Sequence, residues 1–248
     1  MADSTTIALV TGANKGIGQA VTERFAGLGM TVLLTARDPR LGAAAAEPVR
    51  TNGGDAWSLE LDVTRPATVE SAAEWVGERF GRLDVLVNNA GISGSRAAQS
   101  PGAVDLDVVR SVFETNFFGV IRVTEAFLPL LRRSPAARIV NVSSGVGSLA
   151  NMTDPDHYMS RLPAALAYPT SKTALNSLTV QYAKALAGDG ILVNAVAPGA
   201  CATDFTRNLP FPAPRTAAQG AEIAVRLATI DADGPTGGFF DDDGPVRW

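Results

Sequence analysis

Two of the chain's three tyrosines, Tyr158 and Tyr168, stand ten residues apart, and the residue one helical turn downstream of each separates them chemically. A phenol is a poor acid–base group at neutral pH, with an unperturbed pKa of ~10. It becomes useful where a fixed positive charge stabilises the phenolate. Residues four apart share a helix face. Four after Tyr158 comes Leu162, which can shift no pKa; four after Tyr168 comes Lys172, in "YPTSK". Pro169 suits a helix that begins close to Tyr168, because proline is tolerated in a first turn and disruptive deeper in. Ala174, Leu175, Leu178, Tyr182 and Leu186 predict its buried stripe, and Gly188 its stop. A Tyr-x-x-x-Lys pair arises by chance on many helix surfaces. It carries chemistry only beside a cofactor site.

The stretch "VTGANKGIG" (10–18) supplies a candidate for that site. Gly12 permits a tight turn, while Gly16 and Gly18 let the backbone and a helix N-terminus approach a pyrophosphate. The intervening Asn14, Lys15 and Ile17 complete the loop. The spacing G-x-x-x-G-x-G differs from the usual dinucleotide fingerprint, and a glycine-rich turn can be no more than a tight junction. Its place between a first strand and a periodic helix favours dinucleotide binding. The next strand ends "TARD", which puts Arg37 where a cation selects the 2′-phosphate of NADP and a carboxylate selects NAD. Lys15 adds a second cation, and the reading is NADP. Asp38 argues the other way unless it is solvated in a turn before Pro39.

The elements that must position these residues alternate along the whole chain. Strands are predicted at 7–10, 31–35, 57–63, 85–90, 138–144, 191–198 and 237–240. Ile17, Ala20, Val21, Phe25 and Leu28 recur at helical spacing after the first, and Pro66 opens a helix with Val69, Ala73, Val76 and Phe80 on one face. A long helix is predicted from about Asp105 to Leu131, and "TAAQ" (216–219) is a capping box. Near-continuous apolar strands between helices imply a parallel sheet covered on both faces. The fold class is α/β: one doubly wound, Rossmann-type parallel sheet of about seven strands, in a single domain over 1–248.

Composition excludes other classes. The 248 residues are 46% hydrophobic and 19% charged, enough for a sizeable core. A net charge of −4 without a basic run gives no reason to expect nucleic acid. One cysteine rules out an internal disulfide, and one cysteine with one histidine cannot build a zinc site. Neither a signal-like N-terminus nor an 18-residue apolar run is found, so the expectation is a soluble cytoplasmic protein with no membrane partner. A Ser-His-Asp hydrolase would need G-x-S-x-G, which does not occur.

Taken in order, "TGANKGIG" (11–18), "LDVT" (61–64), "NNAG" (88–91), Asn116 in "ETNFFG", "NVSS" (141–144), "YPTSK" (168–172) and "PGACAT" (198–203) resemble the short-chain dehydrogenase/reductase family over nearly the full length. Within it, "NKGIG", "TARD" and the surroundings of Tyr168 look most like NADPH-dependent carbonyl reductases. The resemblance implies a catalytic set of Asn116, Ser144, Tyr168 and Lys172, with Ser144 preferred to Ser143 because it directly precedes Gly145. It also implies that Asp62 and Val63 border the adenine, that Asn88, Ala90 and Gly91 line the ribose path, and that Pro198, Gly199 and Thr203 meet the nicotinamide. Tyr168 would then donate a proton to a carbonyl oxygen, and Ser144 would steady that oxygen. Lys172 would lower the phenol pKa and hold the ribose, and Asn116 would anchor a water. Asn116 could instead merely kink its helix, and Ser144 merely cap a strand end.

Ser144 and Tyr168 are 24 apart, about twice the family's usual spacing, so residues 149–166 form an insertion beside the substrate mouth. Met152, Tyr158, Met159 and Leu162 are candidates for a substrate wall or for a small satellite core. His157 reads as a packing or surface residue. A Pro-rich segment at about 200–216, with Phe205, Leu209 and Phe211, is the expected substrate lid. The acidic run Asp241 to Asp243 reads as a solvated turn. The function expected is NADPH-dependent reduction of a small or medium-sized ketone, aldehyde or quinone. The alternatives are a 3-oxoacyl thioester reductase, left open by Arg207 and Arg215, and a non-catalytic NADP-binding regulator. The insertion could cover the family's pairing helices, which favours a monomer over a homodimer.

Overall fold

The computed structural model describes residues 5–207 and 212–248. Eight strands form one sheet: β1 (Ile7–Val10), β2 (Thr31–Ala36), β3 (Asp55–Glu60), β4 (Val85–Asn88), β5 (Arg138–Val142), β6 (Leu192–Val196), β7 (Phe239–Asp241) and β8 (Gly244–Pro245). Their spatial order is β3-β2-β1-β4-β5-β6-β7-β8, parallel throughout except for the last pair. β8 was not predicted. An Asp241 side chain accepts from the Asp243 amide at 3.0 Å and turns the chain back, a reversal too short to leave a periodic signal. The acidic turn is therefore present, but Asp242 is not merely solvated: it pairs with Arg215.

β1, β2, β4, β5 and β6 are buried along their whole lengths, which is why they read as unbroken apolar runs rather than alternating ones. Helices cover both faces. On one lie α1 (Gly16–Gly27), α2 (Pro39–Thr51) and, later in the chain, α8 (Ala217–Ala228); Phe25, Val49 and Ile223 fill the space against the sheet. On the other lie α3 (Pro66–Phe80), α5 (Gly119–Leu131) and α7 (Tyr168–Leu186), with Val76, Phe127 and Leu186 buried. α4 (Leu106–Phe113) precedes α5, and the short α6 (Leu149–Thr153) lies in the insertion.

The predicted helix from Asp105 to Leu131 is interrupted. Residues Glu114–Phe118 form one π-helical turn between α4 and α5, with Asn116 at its centre. α7 starts at Tyr168 as Pro169 required, but it buries a different stripe from the predicted one: Ser171, Lys172, Leu175, Asn176, Thr179, Ala183 and Leu186. Ala174, Leu178 and Tyr182 are only half-buried. Ala183 and Leu186 still pack into the core, while Lys172, Asn176 and Thr179 are buried because their partners Val142, Ser143 and Asn141 lie on or beside the end of β5. The stop predicted at Gly188 falls in a 3₁₀ turn, and the left-handed residue is Gly190. The capping box at Thr216 and Gln219 forms as predicted.

The chain crosses from one side of the sheet to the other between β1 and β4, and the crevice beyond their C-terminal ends is where ligands of such sheets bind. The loops leaving β1, β4, β5 and β6 all open there.

Candidate active site

The loop after β1 and the turn after β4 are fitted to each other. A Cβ on Gly12 would lie 3.0 Å from the Ala90 Cα, and φ is +62° at Gly12, so no other residue fits easily. Asn89 donates its amide to the Thr11 and Gly12 carbonyls at 2.8 and 3.2 Å. The Thr11 hydroxyl accepts from the Asn89 and Ala90 amides at 2.9 and 3.0 Å. A Cβ on Gly18 would stand 2.4 Å from Asn89 Nδ2. The glycines therefore serve the turn's packing as well as any ligand. At the start of α1, Lys15 offers no side-chain cap, which leaves first-turn N–H groups for an anion. The half-buried Asn14 stands beside Lys15, and Ile17 packs on the core under α8. These features fit a dinucleotide pyrophosphate.

Arg37 is exposed and enters no ion pair among the described residues. Asp38 is occupied: it caps α2 by accepting from the Arg40 amide at 2.8 Å, and this hydrogen bond holds its carboxyl below the usual carboxylate range. The objection to a phosphate at this strand end thus turns toward its own helix. Lys15 reaches Asp204 at 2.9 Å, an exposed pair of the kind typically worth ~0–1 kcal/mol. Asp62 folds one oxygen back onto the Thr64 amide and hydroxyl, at 2.9 and 2.7 Å, and Val63 is buried against Gly119. Asn88 does not reach the cleft with its side chain. It is buried, donates to Asn141 Oδ1 at 2.9 Å, and leaves its own Oδ1 without a partner among the described residues. Ala90 and Gly91 form the turn. Pro198 is buried, Gly199 takes a left-handed φ of +74°, and the Thr203 methyl lies 3.5 Å from where a Gly16 Cβ would be. The loop after β6 thus comes over the glycine loop.

Across this crevice stands the start of α7. The Ser144 side chain stands beside the Tyr168 phenol, close enough to favour its ionised form. Ser143, by contrast, is buried and donates to Asn176 Oδ1 at 2.6 Å, so the preference for Ser144 has a structural reason. Lys172 is 4% exposed and donates to the Val142 carbonyl at 2.7 Å, with its ammonium 5.8 Å from the Tyr168 ring centroid. A Cβ on Gly91 would lie 3.7 Å from that ammonium and 3.3 Å from Asn116 Oδ1, so the ribose turn, Lys172 and Asn116 meet at one point. Asn116 accepts from the Ile92 amide and donates to the Ile92 carbonyl, both at 2.9 Å, and donates to Ser171 Oγ at 3.0 Å. The π turn opens the helix enough for this side chain to clamp the β4 exit, a frequent use of such turns. Thr11, Asn89, Gln99 and Ser171, none of them a candidate on sequence grounds, complete the framework. Thr11 in "TGANKGIG", Asn89 in "NNAG" and Ser171 in "YPTSK" lie in motifs visible in the sequence, whereas Gln99 carries no such signal.

Burial sets the electrostatics. It pushes the Tyr168 phenol up to about 12, with the neighbouring Ser144 pulling partly back, and it lowers Lys172 to about 8. Burial is the largest influence on the phenol in this structure, and the Ser144 side chain, not Lys172, supplies the opposing one. A phenol held protonated at neutral pH is in the form a proton donor needs.

The insertion borders this centre. Tyr158 is 63% exposed and stacks on His157 with ring centroids 5.0 Å apart. His157 caps the following 3₁₀ turn by accepting from the Met159 amide at 3.3 Å. The Met159 methyl occupies the space a Gly145 side chain would fill, next to Ser144. Trp248 and Arg247 brace the insertion: the Trp248 carbonyl accepts from Ala150 at 2.9 Å, and Arg247 pairs with Asp154 at 2.8 Å. From the expected lid, Phe205 lies on the Tyr168 ring at 5.4 Å between centroids. Leu209, Pro210 and Phe211 lie outside the described residues. Arg207 and Arg215 pair with Asp204 and Asp242. Among the described residues no helix is long and apolar enough to cross a membrane, and no metal-binding cluster occurs.

Residues 6–211 match the family model for short chain dehydrogenases. Short-chain dehydrogenase/reductase 1 of Saponaria officinalis is 35% identical over 94% of this chain and 93% of its own. Carbonyl reductase [NADPH] 1 of Bos taurus is 33% identical over 100% of both chains. Among solved structures, the NADPH-bound carbonyl reductase from chicken fatty liver superposes with a TM-score of 0.83, at 28% identity over 98% of each chain.

Proposed function

Because this chain belongs to the short-chain dehydrogenase/reductase family of oxidoreductases, we propose that it reduces the carbonyl of a small or medium-sized ketone, aldehyde or quinone with NADPH. One observation carries the reading: a half-buried Tyr168, its phenol kept protonated by desolvation, stands beside Ser144 with Lys172 one helical turn on, facing the crevice where β1 and β4 diverge. Gly12, Asn14, Lys15, Gly16, Ile17 and Gly18 would hold the pyrophosphate, Arg37 the 2′-phosphate, and Lys172 with Ala90 and Gly91 the nicotinamide ribose. When bound, the cofactor supplies the hydride. Tyr168 gives its proton to the carbonyl oxygen, Ser144 donates a hydrogen bond to the same oxygen as charge develops, and Phe205 helps exclude water from the phenol. The experiment is a carbonyl panel with NADPH consumption as readout; a folded protein that turns over none of the panel contradicts the proposal.

The 3-oxoacyl thioester reading rested on Arg207 and Arg215 as docking cations. Both guanidiniums are engaged by carboxylates, which favours the small carbonyl.

NADPH should be preferred to NADH by kcat/KM, and Arg37→Asp should erode or reverse the preference, because a carboxylate there repels the 2′-phosphate. Equal kcat/KM for both cofactors in the parent would contradict this.

We propose a monomer. Light scattering at micromolar concentration should give 25.7 kDa, and twice that mass would instead establish the homodimer.

A further inference from the structure

We propose that Gln99 is a positioning residue for Tyr168, holding the proton donor's main chain in place from outside its helix. The inference rests on the reading of Tyr168 as that donor. α7 lacks a cap of its own: Ala167 precedes it in a helical conformation, and no side chain at that position can accept a hydrogen bond. The Tyr168 N–H would be left unpaired inside the protein, which folded proteins avoid. Gln99 Oε1 accepts it at 2.9 Å.

Gln99 is built in on every side. It is 1% exposed, and its Nε2 donates to the Ser93 and Ser95 carbonyls at 2.8 and 3.0 Å. Its own carbonyl accepts from the Leu166 amide at 3.0 Å. The two loop carbonyls converge on it because Gly94 adopts φ +69°, where a Cβ would lie 2.8 Å from Val112. Both amide hydrogens and the amide oxygen are therefore used, which fixes the side chain's orientation.

On the other side of the same residue, the Ser171 hydroxyl donates to the Tyr168 carbonyl at 2.7 Å and accepts from Asn116 at 3.0 Å. Tyr168 is thus held at its N–H by Gln99 and at its C=O by Ser171 and Asn116. Both clamps tie it to the segment leaving β4, which also carries Gly91. The ribose turn and the phenol are set against each other through Ile92 to Ser95, not only through the bulk of the fold.

Gln99→Met keeps the side chain's length and removes its acceptor and both donors; Gln99→Glu, held protonated by burial, keeps an acceptor for the Tyr168 amide and one donor for the Ser93 and Ser95 carbonyls. Each is measured for kcat and KM on one reducible ketone, for NADPH Kd by fluorescence, and for hydrogen exchange at the Tyr168 amide without nucleotide. A misplacement of about 1 Å can cost ~10²-fold, so Gln99→Met should lose about tenfold or more in kcat, with NADPH Kd within about twofold of the parent. Its Tyr168 amide should exchange at least about tenfold faster, while amides in the middle of α7 stay protected. Gln99→Glu should lie between parent and Gln99→Met in both readouts. Should Gln99→Met fail to fold, Gln99→Ala, whose gap admits water to the amide, is read by the same criteria. Parental kcat in the deleted variant, a Glu variant as damaged as the Met variant, or a kcat loss matched by weakened NADPH binding would overturn the proposal. A parent that reduces no carbonyl overturns the functional reading instead, and the exchange measurement still decides whether Gln99 holds Tyr168.

Discussion

Tyr168→Phe should lower kcat by ~10²–10⁴-fold, the usual worth of a positioned general acid, while NADPH still binds. The substitution keeps the ring, its contact with Phe205 and the start of α7, and deletes the hydroxyl that stands beside Ser144. Tyr158→Phe is the control. That phenol is exposed, stacks on His157 and has Leu162, not a cation, one turn on, so it should change KM at most. Steady-state kinetics of both variants on one good ketone decides the matter. If Tyr158→Phe abolishes turnover and Tyr168→Phe does not, the insertion carries the chemistry.

Lys172→Met should be as damaging to kcat and should also weaken NADPH binding, because the ammonium beside Gly91 is the group available to a ribose there. It has a second consequence, in stability. Lys172 is lowered from 10.5 to about 8 by burial, so between those values the unfolded chain binds a proton that the folded one does not. Stability must then rise with pH through that window, and below it the buried charge costs roughly 3 kcal/mol. The Tyr168 phenol acts oppositely: raised from 10.0 to about 12, it makes the folded state lose stability as pH climbs above 10. The clean window is therefore about pH 8 to 10. Urea melts across it should show the parent gaining stability relative to Lys172→Met; parallel pH curves for the two proteins would mean that Lys172 is not desolvated as the structure has it. Reduction should also decline as pH rises through about 8, where the ammonium is lost.

Both predictions concern residues whose identity and spacing were visible before the fold was known. Tyr168 and Lys172 stand four apart after a proline-compatible helix start, a local relation that helix geometry alone converts into a shared face. The glycines of 12–18 and the apolar strand runs are local in the same sense. Seven of the eight strands, the order of the elements and both partners of the capping box at Thr216 followed from them. Arg37 at its strand end was equally legible.

What only the tertiary structure decided were relations between residues far apart in the chain. Gln99 is 69 positions from the amide it accepts, and nothing in "RAAQS" marks it. The π turn places Asn116 where it bonds Ile92 and Ser171, 24 and 55 positions away. The buried stripe of α7 shifted onto Lys172, Asn176 and Thr179 for the same kind of reason: their partners, Val142, Ser143 and Asn141, lie on or beside the end of β5. Asn88 turned into the interior, where Asn141 and Thr124 accept its amide, although its motif pointed to the cleft. The protonation state of Tyr168 belongs here too. Sequence spacing supplies the lysine four residues away, but desolvation depends on everything packed around the pair, and here burial is what raises the phenol.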